Sequence, residues 1–220
     1  MTSKLMKMII MGPPGSGKGT ISSRIVRDFG LKYIACGDLL RHEIEAKTVI
    51  GLKAKQFIDH GNLVPDEVTT GLIQNELKSK YFSCSWLLDG FPRTVKQADS
   101  LTKIVTIDTA INLDVPEEEI LTRLTGRMVH IASGRIYHNT YNPPKRAGLD
   151  DVTGEKLVVR NDDEPDVVKK RLKSYYEQTA PVLNYYRNRN LLIEFQGTRS
   201  DEIYPRVKKY LQQLFESRHN

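Results

Sequence analysis

Lys7-Met8-Ile9-Ile10-Met11 runs directly into Gly12-Pro13-Pro14-Gly15-Ser16-Gly17-Lys18-Gly19-Thr20, and a helical pattern follows over 21–29, closed by Gly30. A short apolar run stopped by a glycine loop reads as a buried strand, so the stretch predicts strand, loop and helix in immediate succession. Glycines let backbone N–H groups turn inward around a phosphate, and the helix N-terminus adds partial positive charge. Lys18 is then spaced to reach the β- and γ-phosphates of a nucleotide as a point charge. A glycine turn without a ligand is the competing reading, and the strand–loop–helix context argues against it. Gly19 follows Lys18 where many such loops carry the hydroxyl that binds Mg²⁺, and the hydroxyl comes one residue later at Thr20. Mg²⁺ is then expected to be held mainly by nucleotide oxygens and water.

Outward from this loop, strands alternate with helices. Further strands are expected at 32–35, 85–89, 109–115 and 191–195. Helices are expected from Gly37-Asp38, over 49–59, from Asp66 as N-cap, over 94–104, from Pro116 to Gly126, from Pro165 to Arg189, and over 201–216. Such alternation predicts an α/β fold built on a doubly wound, parallel, five-stranded sheet with helices on both faces. Ligands bind such sheets beyond the carboxyl ends of the strands. Residues 127–163 break the helical pattern with Gly, Pro, Asp and short β-like pieces, which reads as an inserted lobe.

Composition narrows the class. The 220 residues carry 33 Lys+Arg against 27 Asp+Glu, a net charge of +6, and 39% are apolar. That is ordinary usage for a folded globular protein whose size supports one real core. No apolar run approaches the roughly 18 residues of a membrane span. Cys36 and Cys84 form no CxxC pair, so neither a disulfide framework nor a thiolate metal site is expected. The cations are spread along the chain, and only 8% of residues are aromatic, against a nucleic-acid-binding surface. The pairs Tyr175-Tyr176 and Tyr185-Tyr186 look like core packing. Met1 to Leu5 is too short for a cleaved presequence, so none is expected.

A second group of residues carries chemistry. Leu88-Asp89-Gly90-Phe91-Pro92-Arg93 ends a strand, with Gln97 one helical turn beyond Arg93. Asp89 is suited to hydrogen-bond water on Mg²⁺, or else caps the helix that opens at Thr94. Arg93 offers a fork that matches phosphate. Gln97 either reads a base edge with its donor and acceptor or lies on a solvated helix face. Cys36-Gly37-Asp38-Leu39-Leu40-Arg41 opens another helix, a potential anion site. Arg123 and Arg127 precede the insertion and are expected at i, i+4 on one helical face, while Arg160 follows it and Arg171 lies beyond. Any single arginine is usually a surface ion-pair partner. Flanking a Gly/Pro-rich insertion in a phosphate-binding protein, this set suits a hinged lid that brings positive charge onto phosphates.

These motifs resemble those of the adenylate kinase family along the whole chain. GxPGxGKGT, GDLLR, LDGFPR with Gln four residues on, GR before the insertion, SGRIYH, NPPK, DDVTGE and Arg160-Asn161-Asp162-Asp163 occur in the family's order. The resemblance implies a P-loop core of residues 1–34, 65–126 and 164–220, an AMP-binding lobe of 35–64 and a long lid of 127–163. It implies reversible, Mg²⁺-dependent phosphoryl transfer from a nucleoside triphosphate to AMP, without a covalent intermediate. The donor phosphates fall by resemblance on Gly15, Ser16, Gly17, Lys18, Gly19 and Thr20, with Arg127, Ile136 and Tyr137 closing from the lid. Arg123 would lie against the donor base and Arg199 near the base-contacting loop Gly197-Thr198. Arg41, Arg93, Arg160 and Arg171 would grip the AMP phosphate and the group in flight. Cys36, Asn62, Leu63, Val64, Gly90, Phe91, Pro92 and Gln97 would face AMP. Lys18, Arg93, Arg127, Arg160 and Arg171 are thus the implied catalytic set.

Two departures stand out. Cys36 replaces the family's usual Thr or Ser, so one hydrogen bond to the acceptor is weaker or absent. The lid positions that in some relatives hold zinc with four Cys are His130, Ser133, Asp150 and Thr153, so a hydrogen-bond network is expected in place of zinc. Met11 to Gly15, Asn112 to Pro116 and Ile203 to Pro205 look most like the mitochondrial GTP:AMP phosphotransferase branch. They favour GTP as donor and the mitochondrial matrix as location, with ATP and the cytoplasm as alternatives. The expected partners are GTP or ATP, AMP and ADP, with no nucleic acid and no membrane, and a monomer is expected. A non-catalytic P-loop scaffold or nucleic-acid binder is the contrasting class, and oligonucleotide binding without ADP formation would reveal it.

Overall fold

The computed structural model describes residues 5–219. Its centre is a parallel sheet of β1 (Lys7–Met11), β2 (Lys32–Ala35), β3 (Trp86–Asp89), β4 (Thr109–Asp114) and β7 (Leu192–Gln196), in the order β2-β3-β1-β4-β7. Ile9 pairs with Leu88 on one side, and Ile10 with Ile111 on the other. β1 is apolar on both faces because both are covered. Met8 and Ile10 join Leu87, Ile111, Ile21 and Val207 on one side, while Ile9 and Met11 join Leu88, Ala110, Ile73 and Tyr186 on the other. Strand period and two helical layers together make the sheet doubly wound, as expected. A residue such as Ile9 or Leu87, wholly buried, contributes about 1.5–3 kcal/mol by leaving water.

Helices α1 (Lys18–Phe29) and α9 (Ser200–His219) cover the first face. The second is covered by α2 (Cys36–Glu45), α4 (Asp66–Lys80), α5 (Val95–Thr102) and α8 (Ala180–Arg187). α3 (Val49–Ile58) packs on α2. A smaller cluster of Val115, Ile120, Leu124, Val168 and Leu172 joins α6 (Glu117–Thr125) to α7 (Pro165–Ser174). The stretch between them carries a two-stranded antiparallel sheet, β5 (Arg127–Val129) with β6 (Ile136–His138). No helix among the described residues is long and apolar enough to cross a membrane.

Four expectations need correction. α1 begins at Lys18, three residues before its apolar pattern does, because Gly17 takes φ 85° and turns the loop into the helix axis. Asp66 is the first residue of α4, not its cap, and its carboxylate instead accepts from Thr94 Oγ1 at 3.0 Å and Gln97 Nε2 at 2.8 Å. The helix expected from Pro165 to Arg189 is interrupted by a π-turn over Tyr175–Thr179, where Ala180 donates to the Tyr175 carbonyl. Pro181 follows at once and has no N–H for the α-helical ladder, so the wider turn absorbs the missing bond. Tyr176 lies outside the core at 46% exposure, although Tyr175, Tyr185 and Tyr186 are buried.

Candidate active site

The carboxyl ends of β1, β2 and β3 open into a cleft of about 1360 Å³. Pockets for a single small ligand run to about 1,000 Å³, so this one has room for two nucleotide-sized molecules. Its floor is the loop between β1 and α1. Because α1 starts at Lys18, the backbone N–H groups of its first turn are free of helical partners and face the cleft end of the loop. Lys18 Nζ donates to the carbonyls of Gly12 and Pro13, both at 2.8 Å. Burial pushes its pKa down to about 8; Arg93, Arg171 and Arg127 lower it further, and Asp89 opposes them. Gly15, Gly17, Gly19 and Thr20 line the cleft, while Ser16 is buried beneath it.

Asp89 ends β3 at the same rim. It does not cap the following helix: Thr94 does so, accepting from the Gln97 N–H at 3.1 Å. Asp89 Oδ2 instead accepts from Tyr33 Oη at 2.7 Å, and no other described residue bonds its carboxylate. One oxygen of a half-buried carboxylate, with Lys18 nearby, suits a hydrated Mg²⁺ arriving with a triphosphate.

Arg41, Arg93, Arg127, Arg160 and Arg171, far apart in sequence, all line the cleft. Arg93 Nε donates to the Gly90 carbonyl at 2.8 Å. Arg127 grips Asp163, with Nε 2.7 Å from Oδ2. Arg171 Nη1 lies 2.9 Å from Asp163 Oδ1 and 3.1 Å from Asp162 Oδ2. Arg41 pairs with Asp38, whose Oδ1 is 3.9 Å from Arg160 Nη2. Five guanidiniums against three carboxylates leave a surplus of two positive charges. Burial and that crowding hold Arg160 and Arg171 below the usual guanidinium range. Burial resists ionisation of Asp162, yet Arg171, Arg127, Arg160 and Arg41 bring its carboxyl below the ordinary value. An unpaired cationic surplus in a partly dry cleft is a standing attraction for phosphate.

Arg123 and Arg127 do not share a helical face. α6 ends at Thr125, and Gly126 sends Arg127 into β5. Arg123 lies over the Tyr141 ring at 5.5 Å and near Glu119. Arg199 also lines the cleft, largely exposed, 3.9 Å from Glu202.

On the other side, Cys36, Asn62, Leu63, Val64, Gly90 and Gln97 line the cleft together. Phe91 and Pro92 are buried behind Arg93, with Phe91 packed into the core. Burial raises the Cys36 thiol to about 11, so it stays protonated at neutral pH. Gln97 is not on a solvated face: it is 2% exposed. Its Oε1 accepts from the Arg93 N–H at 2.7 Å, and its Nε2 donates to Asp66 and Thr69, both at 2.8 Å.

The inserted lobe sits over this cleft. A Cβ on Gly19 would lie 3.1 Å from Ile136 Cδ1, and one on Gly134 would lie 3.1 Å from Asp38 Oδ2. The lobe therefore touches both the phosphate loop's helix and α2. Inside it, His130, Ser133, Asp150 and Thr153 do converge. His130 Nδ1 is 2.7 Å from Ser133 Oγ, and Thr153 Oγ1 donates to Asp150 Oδ2 at 3.0 Å. Sequence reading missed the centrepiece, Arg135, which grips both Asp150 oxygens at 2.8 and 2.6 Å. Arg135 holds the Asp150 carboxyl well below the usual range. Tyr137 Oη donates to Asp150 at 3.0 Å, and Glu155 bonds His130 Nε2 at 2.5 Å. Tyr33, Asp38 and Asp163 were also missed as site residues, although Asp38 and Asp163 stand inside motifs that the sequence does display.

Comparison with known proteins agrees with this geometry. Residues 10–191 match the family model described as adenylate kinase. The chain is 43% identical over 213 residues to a protein named adenylate kinase from Carboxydothermus hydrogenoformans, a match covering 94% of this chain and all of that relative.

Proposed function

The chain belongs to the adenylate kinase family, and from that premise we propose that it transfers the terminal phosphoryl group of Mg-GTP to AMP. Nucleotide phosphoryl transfer to AMP is the activity that membership carries. The donor and the part played by each residue are the proposal. The observation that carries it is the convergence of Lys18 and five arginines on one cleft with a net cationic surplus.

Phosphoryl transfer leaves little covalent work for a protein and consists mainly of in-line positioning and neutralisation of charge on equatorial oxygens. The first turn of α1, from Lys18, binds the donor phosphates through backbone N–H groups, with Lys18 as the mobile charge. Arg41 and Arg93 orient the acceptor phosphate from residues 35–64 and the β3–α5 loop. Arg127 and Arg160, from the lid of residues 127–163, and Arg171, from α7 beside it, reach the group in flight. Asp89 would hold water of the Mg²⁺ that accompanies the triphosphate, and the ion would supply charge neutralisation there. Lid contacts with α1 and α2 exclude water, which strengthens each electrostatic contact and suppresses hydrolysis. Arg123 and Arg199 bracket the donor base. No step needs an enzyme-bound phosphate.

Support for GTP comes from residues 11–15, 112–116 and 203–205, whose likeness to the GTP:AMP branch also suggests a matrix location. ATP is the second reading, favoured by identity to a protein whose printed name is adenylate kinase. Initial rates of ADP formation with GTP, ATP and ITP against AMP test both. Faster turnover with GTP is expected; a strong ATP preference overturns the donor, and no ADP with any triphosphate overturns the function.

A further inference from the structure

Tyr33 lines the cleft and makes a polar contact that the reaction as described does not use. It lies on β2, the edge strand, paired with Leu87 of β3, two residues before Ala35 meets Asp89. β2 exposes its Tyr33 face, so nothing in the core requires an aromatic residue there. Yet the phenol lines the cleft, and its hydroxyl donates to Asp89 Oδ2 at 2.7 Å. This is the single hydrogen bond that any described residue makes to that carboxylate. A carboxylate at a strand end otherwise turns freely about its terminal torsion. With Oδ2 tethered, that rotation is restricted, and Asp89 itself lines the cleft.

We propose that Tyr33 is a positioning residue that holds Asp89 in the orientation needed to receive the hydrated Mg²⁺ of the incoming triphosphate. The inference rests on the reading of Asp89 given above. Partners that orient a metal-binding carboxylate typically change metal affinity by 10- to 100-fold when removed. Where the ion is met through water, the lower end of that range applies.

The test is Tyr33→Phe, which keeps the ring and removes only the donor. Nucleotide binding is measured by titration calorimetry with GTP and with ATP, each in EDTA and in excess Mg²⁺, for the wild-type chain, Tyr33→Phe, Asp89→Asn and the double variant. In EDTA, Tyr33→Phe is expected to match the wild type. In Mg²⁺, the metal-dependent gain in affinity should fall about tenfold, and the Mg²⁺ concentration giving half-maximal turnover should rise to match. In the Asp89→Asn background the same change should cost nothing, because there is no carboxylate left to hold. An unchanged metal-dependent gain, or an equal loss in EDTA, overturns the proposal, and so does a loss that persists beside Asp89→Asn. The readout is binding, so it stands apart from turnover: a wild-type chain that binds Mg-nucleotide but forms no ADP would sink the proposed function and leave this test intact.

Discussion

Arg127 and Asp163, at opposite ends of the inserted lobe, form a two-pronged ion pair whose carboxylate is wholly buried. The pair closes the neck of the lobe and, through Asp163 Oδ1, also holds Arg171 at 2.9 Å. One carboxylate thus fixes two of the guanidiniums assigned to the phosphoryl group.

Asp163→Asn keeps the shape and removes the charge that both cations share. Breaking a buried pair by removing one partner costs about 3–5 kcal/mol, and the amide recovers part of that. A clear fall in Tm is expected. A dinucleotide bisubstrate inhibitor should raise the Tm of the variant by more than it raises that of the wild type, since its phosphates replace the missing anion. Equal melting of the two free proteins would remove Asp163 from this role.

Arg93→Ala removes a guanidinium whose only tie among the described residues is the Gly90 carbonyl. Little holds the fold through that contact, so cooperative unfolding should persist nearly unchanged. Turnover should drop by about three orders of magnitude, the scale of an arginine that meets transition-state charge. Near-normal turnover at saturating substrates would count against the assigned reaction.

Lys18 carries a pH signature. With its pKa near 8 in the folded protein and 10.5 in the unfolded chain, the folded state binds fewer protons across that window. Stability of the free protein therefore rises with pH there, the reverse of a lysine held by a salt bridge. Triphosphate brings negative charge to the ammonium and raises its pKa, so nucleotide binding takes up protons at about pH 9. Calorimetry in buffers of different ionisation enthalpy reads the uptake directly. Lys18→Gln should abolish it, and uptake that survives in that variant would assign the proton elsewhere.

What the sequence displayed was local. The phosphate loop lies within one strand–loop–helix unit, and the strands announced themselves through apolar runs between glycines. Positions of the arginines were legible as well. Their partners were not: Asp163 meets Arg127 across 36 residues and Tyr33 meets Asp89 across 56, and no periodicity encodes such pairings. Arg135 was passed over because an arginine in SGRIYH looks like one more surface cation until Asp150 is seen beneath it. The π-turn escaped for another reason. The apolar spacing around Tyr175 continues through it, and only the hydrogen-bond register changes. Gln97 shows how a motif can place a residue without revealing its contacts, since its amide is fully used by Arg93, Asp66 and Thr69.

Gly51 offers a way to perturb one lobe alone. α3 rests on the end of α2 so closely that a Cβ on Gly51 would lie 2.0 Å from the Glu43 carbonyl oxygen and 2.6 Å from the Ile44 nitrogen. Those are backbone atoms, which cannot rotate aside, and Thr48 pins the same corner by accepting from the Gly51 N–H at 3.0 Å. Gly51→Ala must therefore push α3 outward and carry with it the 62–64 segment, which lines the cleft on the side proposed for the acceptor. Overpacking of this kind costs about 1–3 kcal/mol. If that strain falls on the bound state of residues 35–64, the KM for AMP rises about tenfold while the KM for the triphosphate, bound on α1, stays put. A matched rise in both would mean that the two lobes do not bind their nucleotides separately, and the division of the cleft into donor and acceptor sides would fall with it.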